Sequence, residues 1–161
     1  MREEEKAYIA GFLDGDGCVM LQLVYRHDYV LGYQIRASIV FYQKQQYRSF
    51  LHWVQHQFSD IGYIRNRNDG MSEYTIVGIA DVGNVLTLLL PYLRLKKPQA
   101  EIALKVISEM PGSGRKMTKE KLLRLAKEVD RFMELNYSKK RVNTSQKLQE
   151  FFDHPTPYVI P

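Results

Sequence analysis

The chain has 161 residues, 45% hydrophobic and 25% charged, which is the length and balance of one folded domain with its own core. A net charge of +5 favours a polyanionic partner, and the single cysteine, Cys18, excludes a disulfide framework and a cysteine-based zinc site. No apolar run is long enough to span a membrane, and the acidic start MREEEKAY lacks a signal-peptide pattern, so a reducing, intracellular setting is expected.

Residues 3 to about 16 read as a helix, with Glu3, Glu4 and Glu5 complementing its positive end. From Gly17 the hydrophobic period changes to two. Val19, Leu21, Leu23 and Tyr25 share one face, and Met20, Gln22, Val24 and Arg26 share the other. HDYVLG, at 27–32, reads as a loop. QIRASIVFYQ then resumes the alternation, with Ile35, Ala37 and Ile39 opposite Gln34, Arg36 and Ser38. Gln45 to Phe58 reads as an amphipathic helix with Phe50, Leu51, Val54 and Phe58 as its apolar stripe. Two short strands flank Asn68-Asp69-Gly70, a hairpin signal. Arg65 and Arg67 fall on the first of these strands, and Glu73, Thr75 and Val77 on the second.

Asp81 is expected to cap a helix that runs to Leu90 and is stopped by Pro91. Helices are expected at 98–110, 118–135 and 144–153, and the proline-rich tail, 154–161, should be irregular. The order α-β-β-α-β-β-α, followed by additional C-terminal helices, gives a single α+β domain over residues 1–153. Its four strands form an antiparallel sheet covered by helices on one face.

The open face of such a sheet carries Gln22, Arg26, Gln34, Arg36, Ser38, Arg65, Arg67, Glu73 and Thr75. These side chains suit base edges: Arg pairs with guanine, Gln with adenine and Glu with cytosine. A merely solvated face would carry more Lys and Glu. A strand of about ten residues spans roughly 33 Å, close to one turn of B-DNA. Between Arg94 and Arg141 there are 14 Lys or Arg against 6 Asp or Glu, so the basic charge is concentrated in the C-terminal half. Lys116, Lys139, Lys140 and Arg141 are candidate phosphate contacts there.

The stretch YIAGFLDGDG, at 8–17, ends a helix with two aspartates, Asp14 and Asp16, where the macrodipole disfavours acids by several tenths of a kcal/mol up to about 1 kcal/mol each. A calcium loop is excluded: with Asp14 at loop position 1 or 3, position 12 falls on Tyr25 or Leu23, neither of them an acid. The segment is then either a glycine-rich helix stop with solvated aspartates, or a metal site at an interface. Ala7, Gly11 and Gly15 recur every four residues and leave one helix face almost bare, which lets two backbones approach closely. Two-fold pairing of that face would bring two Asp16 carboxylates together as a site for Mg²⁺.

YIAGFLDGDG resembles the motif of the LAGLIDADG homing endonucleases, in particular the single-motif branch that works as homodimers, and the α-β-β-α-β-β-α order matches as well. The resemblance implies that Asp16 is the essential metal-binding carboxylate, with the Gly15 carbonyl beside it. Asp14 would serve the helix end and the interface instead, since residues two apart on a helix point roughly 200° apart. Gln43, in FYQKQQ, and Lys96, in PYLRLKKPQA, match the family's further active-site positions and would organise the attacking water. Ala7, Gly11, Phe12 and Gly15 would form the dimer contact. One departure stands out: where the family often has a basic residue four places after the glutamine, this chain has Tyr47, followed by Arg48.

The resemblance further implies site-specific cleavage of a long, pseudo-palindromic double-stranded DNA target with Mg²⁺, Mn²⁺ substituting. The cut would leave 3′ overhangs and serve intron mobility, with no membrane and no small-molecule substrate involved. The host compartment would be an archaeal or bacterial cytoplasm or an organelle. The alternative is a non-cleaving RNA maturase or DNA-binding regulator of the same fold. His52 and His56, four apart, lack a third ligand or an adjacent Glu and carry no metal reading.

Overall fold

A computed structural model describes residues 1–112, 115–136 and 142–154. Helix and strand alternate as expected through α1 (Glu3–Asp16), β1 (Gly17–Tyr25), β2 (Tyr33–Lys44), α2 (Arg48–Gln57), β3 (Tyr63–Asn66), β4 (Met71–Val77) and α3 (Ile79–Leu89). Three further helices follow: α4 (Lys97–Glu109), α5 (Lys119–Leu135) and α6 (Ser145–Asp153). The strands pair antiparallel in the order β1-β2-β4-β3. Of the proline-rich tail, residues 155–161 lie outside the described residues.

The period-two pattern decides which face is covered. Val19, Leu21 and Leu23 of β1, Ile35, Ile39 and Phe41 of β2, and Tyr74 and Ile76 of β4 are all buried under the helices. Phe41 lies between two nearly parallel rings, with Phe12 of α1 at 5.7 Å and Tyr74 of β4 at 5.8 Å. This three-ring stack fastens the motif helix to the centre of the sheet. The Tyr74 hydroxyl donates to the Ile61 carbonyl at 2.8 Å, and burial pushes its phenol far above the ordinary tyrosine range. The helix starts follow local chemistry. Arg2 N–H donates to the Glu5 carboxylate at 2.8 Å, and the side chains of Thr118 and Thr144 accept from Lys121 and Lys147 as N-caps of α5 and α6.

Three boundaries differ from expectation. Asp81 does not cap α3: the helix starts at Ile79 behind Gly78, and Asp81 sits in its first turn, where a carboxylate still meets the positive end of the dipole. The helix expected from Gln45 opens with a tight 3₁₀ turn over Gln45–Tyr47 and becomes α-helical at Arg48. That turn is fastened across the sheet end, since Gln45 N–H donates to the Gly70 carbonyl at 3.0 Å and its amide to the Arg67 carbonyl at 2.9 Å. Arg67 itself falls in the turn after β3, whose chain reversal is closed by Gly70 at φ 80°.

Phe41→Ala should cost about 3–5 kcal/mol of unfolding free energy, because it empties the middle of the ring stack. Tyr74→Phe should cost only about 1 kcal/mol, the net worth of one hydrogen bond. Urea unfolding of both variants checks the ranking.

Candidate metal centre and nucleic-acid face

The two motif aspartates have different fates. Asp14 is half-buried, and its carboxylate accepts from the backbone N–H groups of Arg94, Leu95 and Lys96 at 2.7, 3.1 and 2.9 Å. The Lys96 ammonium donates in turn to the Asp14 carbonyl, so a positive charge reaches the negative end of α1. Asp16 is exposed, and among the described residues no protein donor is bonded to its carboxylate. No group of three or more His, Cys, Asp or Glu side chains suited to a metal is gathered among the described residues, so one protomer offers Asp16 and the neighbouring Gly15 carbonyl alone. The exposed Asp16 carboxylate beside the Gly15 carbonyl is an all-oxygen donor set, and it fits a hard divalent cation.

Gly17 pairs with Phe41, so Gln43 lies two residues past the last β1 partner, beside the end of α1. Its side-chain oxygen accepts from Lys44 N–H at 2.9 Å. Cys18 lies next to the same corner. Burial pushes its thiol up, and the nearby Lys96 charge partly opposes that shift. Thus Asp16, Gly15, Gln43 and Lys96 are brought to one end of the motif helix by α1, β2 and the α3–α4 loop. Tyr47 is 54% exposed on its 3₁₀ turn, whereas Arg48 is half-buried with an Nε that has no partner among the described residues.

Along α1, Ala7, Gly11 and Gly15 are all exposed, and a Cβ built on Gly11 or Gly15 meets nothing within 4 Å. The bare stripe is therefore not used for packing inside the protomer. Phe12 flanks it and turns inward onto Phe41 and Phe50. Tyr8, which the sequence pattern did not single out, is 59% exposed, with its ring edge-on to Phe50 and Trp53. It was recognisable only as an aromatic four residues before Phe12 on the helix.

The uncovered sheet face forms a groove of about 350 Å³ lined by Gln22, Arg36, Ser38, Arg65, Arg67, Glu73 and Thr75, together with Tyr42 and Tyr63. Gln22, Gln34, Arg36, Arg65 and Arg67 are exposed, as expected. Glu73 and Thr75 correct the expectation of exposed base-edge contacts, since each is 6% exposed. They lie on β4, an inner strand with β2 on one side and β3 on the other. Glu73 is instead an organiser. It accepts from Arg65 Nε, approaches Arg67 at 3.7 Å, and raises the Arg65 guanidinium further above its ordinary value through that hydrogen bond. Arg67 also reaches Asp69 at 2.8 Å and lies over the Tyr42 ring at 5.8 Å.

Arg26 lies just past β1, in the turn, where it forms a two-pronged pair with Asp28 at 2.9 and 2.7 Å. Lys116 is exposed at the rim of a largely apolar groove that it lines together with Asp28, Gln34, Met110 and Met117. Lys139, Lys140 and Arg141 lie outside the described residues. Tyr42 and Tyr63, missed above, follow from the same alternation as Arg65 and Thr75.

A family model described as LAGLIDADG endonuclease matches residues 9–102. The DNA endonuclease I-CvuI of Chlorella vulgaris is 42% identical over 107 residues, covering 66% of this chain and 66% of its own length. The DNA endonuclease I-CreI of Chlamydomonas reinhardtii is 35% identical over 146 residues, covering 91% of this chain and 87% of its own. A crystal structure of I-CvuI with the I-CreI target in 2 mM Mg, the DNA not cleaved, matches 94% of both chains with a TM-score of 0.86 at 35% identity. An archaeal intron-encoded homing endonuclease solved with DNA shares the fold, with a TM-score of 0.80 at 17% identity over 94% of this chain and 96% of its own.

Asp14→Ala should lower stability by about 1–3 kcal/mol by stripping three N–H groups of their acceptor. Native-state hydrogen exchange at Arg94, Leu95 and Lys96 should accelerate selectively, whereas Asp16→Ala should leave those amides protected.

Proposed function

This chain belongs to the LAGLIDADG endonuclease family, and from that premise we propose that it is a homing endonuclease that cuts a specific double-stranded DNA site as a homodimer. The observation that carries the proposal is the division of labour at the end of α1: Asp14 is consumed by the fold, while Asp16 is left free at the tip of an exposed small-residue stripe. Pairing two copies along Ala7, Gly11 and Gly15 sets two Asp16 carboxylates and two Gly15 carbonyls side by side, with Tyr8 and Phe12 flanking the contact. The negative ends of two helices meet there, and that concentration of negative potential is relieved by divalent cations and by the two Lys96 ammonium groups.

Asp16 and Gly15 would hold the cation, with Mg²⁺ as the physiological choice and Mn²⁺ as a substitute. When bound, the metal acts as a Lewis acid that favours water as nucleophile and counters charge on the leaving 3′ oxygen. The chain's own groups do the rest. Gln43 orients water with its amide, and Lys96 offsets phosphate charge at the cut. Gln22, Arg26, Gln34, Arg36, Ser38, Arg65 and Arg67 meet the major groove, with Glu73 and Thr75 setting the shape of that face from beneath. Lys116, Lys139, Lys140 and Arg141 grip phosphates and supply salt-dependent affinity. The two-fold symmetry makes the target pseudo-palindromic, on the order of 20 base pairs long. The cut leaves 3′ overhangs and supports the spread of an intron.

The relatives supporting this come from Chlorella and Chlamydomonas, and no helix among the described residues is long and apolar enough to cross a membrane.

The test is cleavage, in Mg²⁺, of plasmid carrying the I-CreI target or the junction where this gene is inserted. Wild type should yield discrete linear product, lost on chelation. Asp16→Asn should bind the same DNA and cut at least about 10³-fold more slowly. Binding without cutting in Mg²⁺ or Mn²⁺ would leave a maturase or regulator of the same fold. Gly11→Leu, whose side chain meets open space in the protomer, should fold normally yet sediment as a monomer and fail to cut.

A further inference from the structure

The β1–β2 turn carries recognition chemistry on one side and an unexplained aromatic support on the other. Arg26 N–H donates to the Gly32 carbonyl at 2.9 Å and closes a loop whose Arg26–Asp28 pair and neighbouring Gln34 face outward. Beneath it, on the helix-covered side, Tyr25 and Tyr33 are cross-strand partners with rings 5.1 Å apart. The Phe151 ring of α6 meets both edge-on, at 5.7 and 5.3 Å. It also lies against Gly32, where a Cβ would stand 2.7 Å from the Phe151 ring and where φ is 70°. Only glycine permits this approach.

The support is itself braced. Leu148 of α6 is fully buried, and Ser145 N–H donates to both Asp130 oxygens of α5, at 3.3 and 3.1 Å. Phe152 packs on Phe151 at 5.9 Å and lies under the Lys119 ammonium at 5.2 Å. A continuous path therefore runs from α5 through α6 to the underside of the turn. Helix α6 lies outside the matched stretch, residues 9–102.

We propose that Phe151 is a specificity-positioning residue: by holding Gly32 and the Tyr25–Tyr33 pair from beneath, it fixes where Arg26 and Gln34 meet DNA. This rests on the nuclease function proposed above and adds a part of the chain to it. Phe151 touches no DNA. It acts through the backbone of the turn, so its removal changes which base pairs are discriminated rather than whether the metal centre cuts. The turn lies at the opposite end of β1 from Asp16, and a strand of nine residues separates the two by roughly 30 Å. The affected base pairs are therefore the outer ones of each half-site.

The experiment is selection of cleaved sequences from a randomised duplex library by wild type, Phe151→Ala, Phe151→Leu and Gly32→Ala, with thermal unfolding of each. Phe151→Ala should lower discrimination at the outer positions about fivefold or more and leave the inner positions, read by Arg65 and Arg67, within about twofold. Phe151→Leu should restore most of the outer discrimination. Gly32→Ala, which displaces the same contact from the other side, should alter the same positions. Loss of discrimination spread evenly over the site, or an unchanged profile in folded Phe151→Ala, would overturn the proposal while leaving the nuclease reading intact. A wild type that enriches no site would overturn both.

Discussion

One carboxylate holding three backbone N–H groups underlies the arrangement of the site. Asp14 joins the last turn of α1 to Arg94, Leu95 and Lys96, 80 to 82 residues further along the chain. Charge-assisted bonds of this kind are about twice as strong as neutral ones. They resolve the conflict of ending a helix with acids. The negative charge of Asp14 is spent on loop amides, and Lys96 brings its ammonium to the helix-terminal carbonyl. The same contact holds Lys96 at the end of α1 and leaves the Asp16 carboxylate exposed. A helix end that would otherwise repel its own side chains becomes a fixed acidic tip.

The sheet follows a parallel logic. Glu73 is an almost fully buried carboxylate, and such a charge is costly unless paired. Arg65 and Arg67 supply the pairing, and Tyr42 supports Arg67 through its ring face. The guanidinium groups are thereby held in defined directions on the open face, which under the proposed function would reduce the ordering cost of DNA recognition. At the far end of β1 and β2, Asp28 does the same for Arg26. Acidic side chains on the open sheet face and its end thus serve as orienting groups for arginines.

Most of the architecture was legible because each element carries its own period. The switch from helical spacing to alternation at Gly17 marks the end of α1 to within a residue, and the alternation of β1 and β2 names the buried face correctly. The motif singled out Asp16 and Gly15, and the structure leaves both exposed at the end of α1. What stayed hidden depends on distant pairings. The burial of Glu73 and Thr75 needs the order β1-β2-β4-β3, which puts β4 inside the sheet, and no local pattern encodes that. The grip of Asp14 on the α3–α4 loop is equally non-local. The 3₁₀ opening of α2 depends on a bond from Gln45 to the turn at Gly70. Phe151 shows no local sign of its contact, since its partners lie more than a hundred residues away.

The most direct measurement is anomalous scattering from Mn²⁺ in crystals of the DNA-bound protein. The account predicts metal within about 2.2 Å of an Asp16 oxygen from each of two copies, with Asp14 still bonded to the amides of Arg94 to Lys96. Metal coordinated by Asp14, or bound away from Asp16, would contradict the division of labour between the two aspartates.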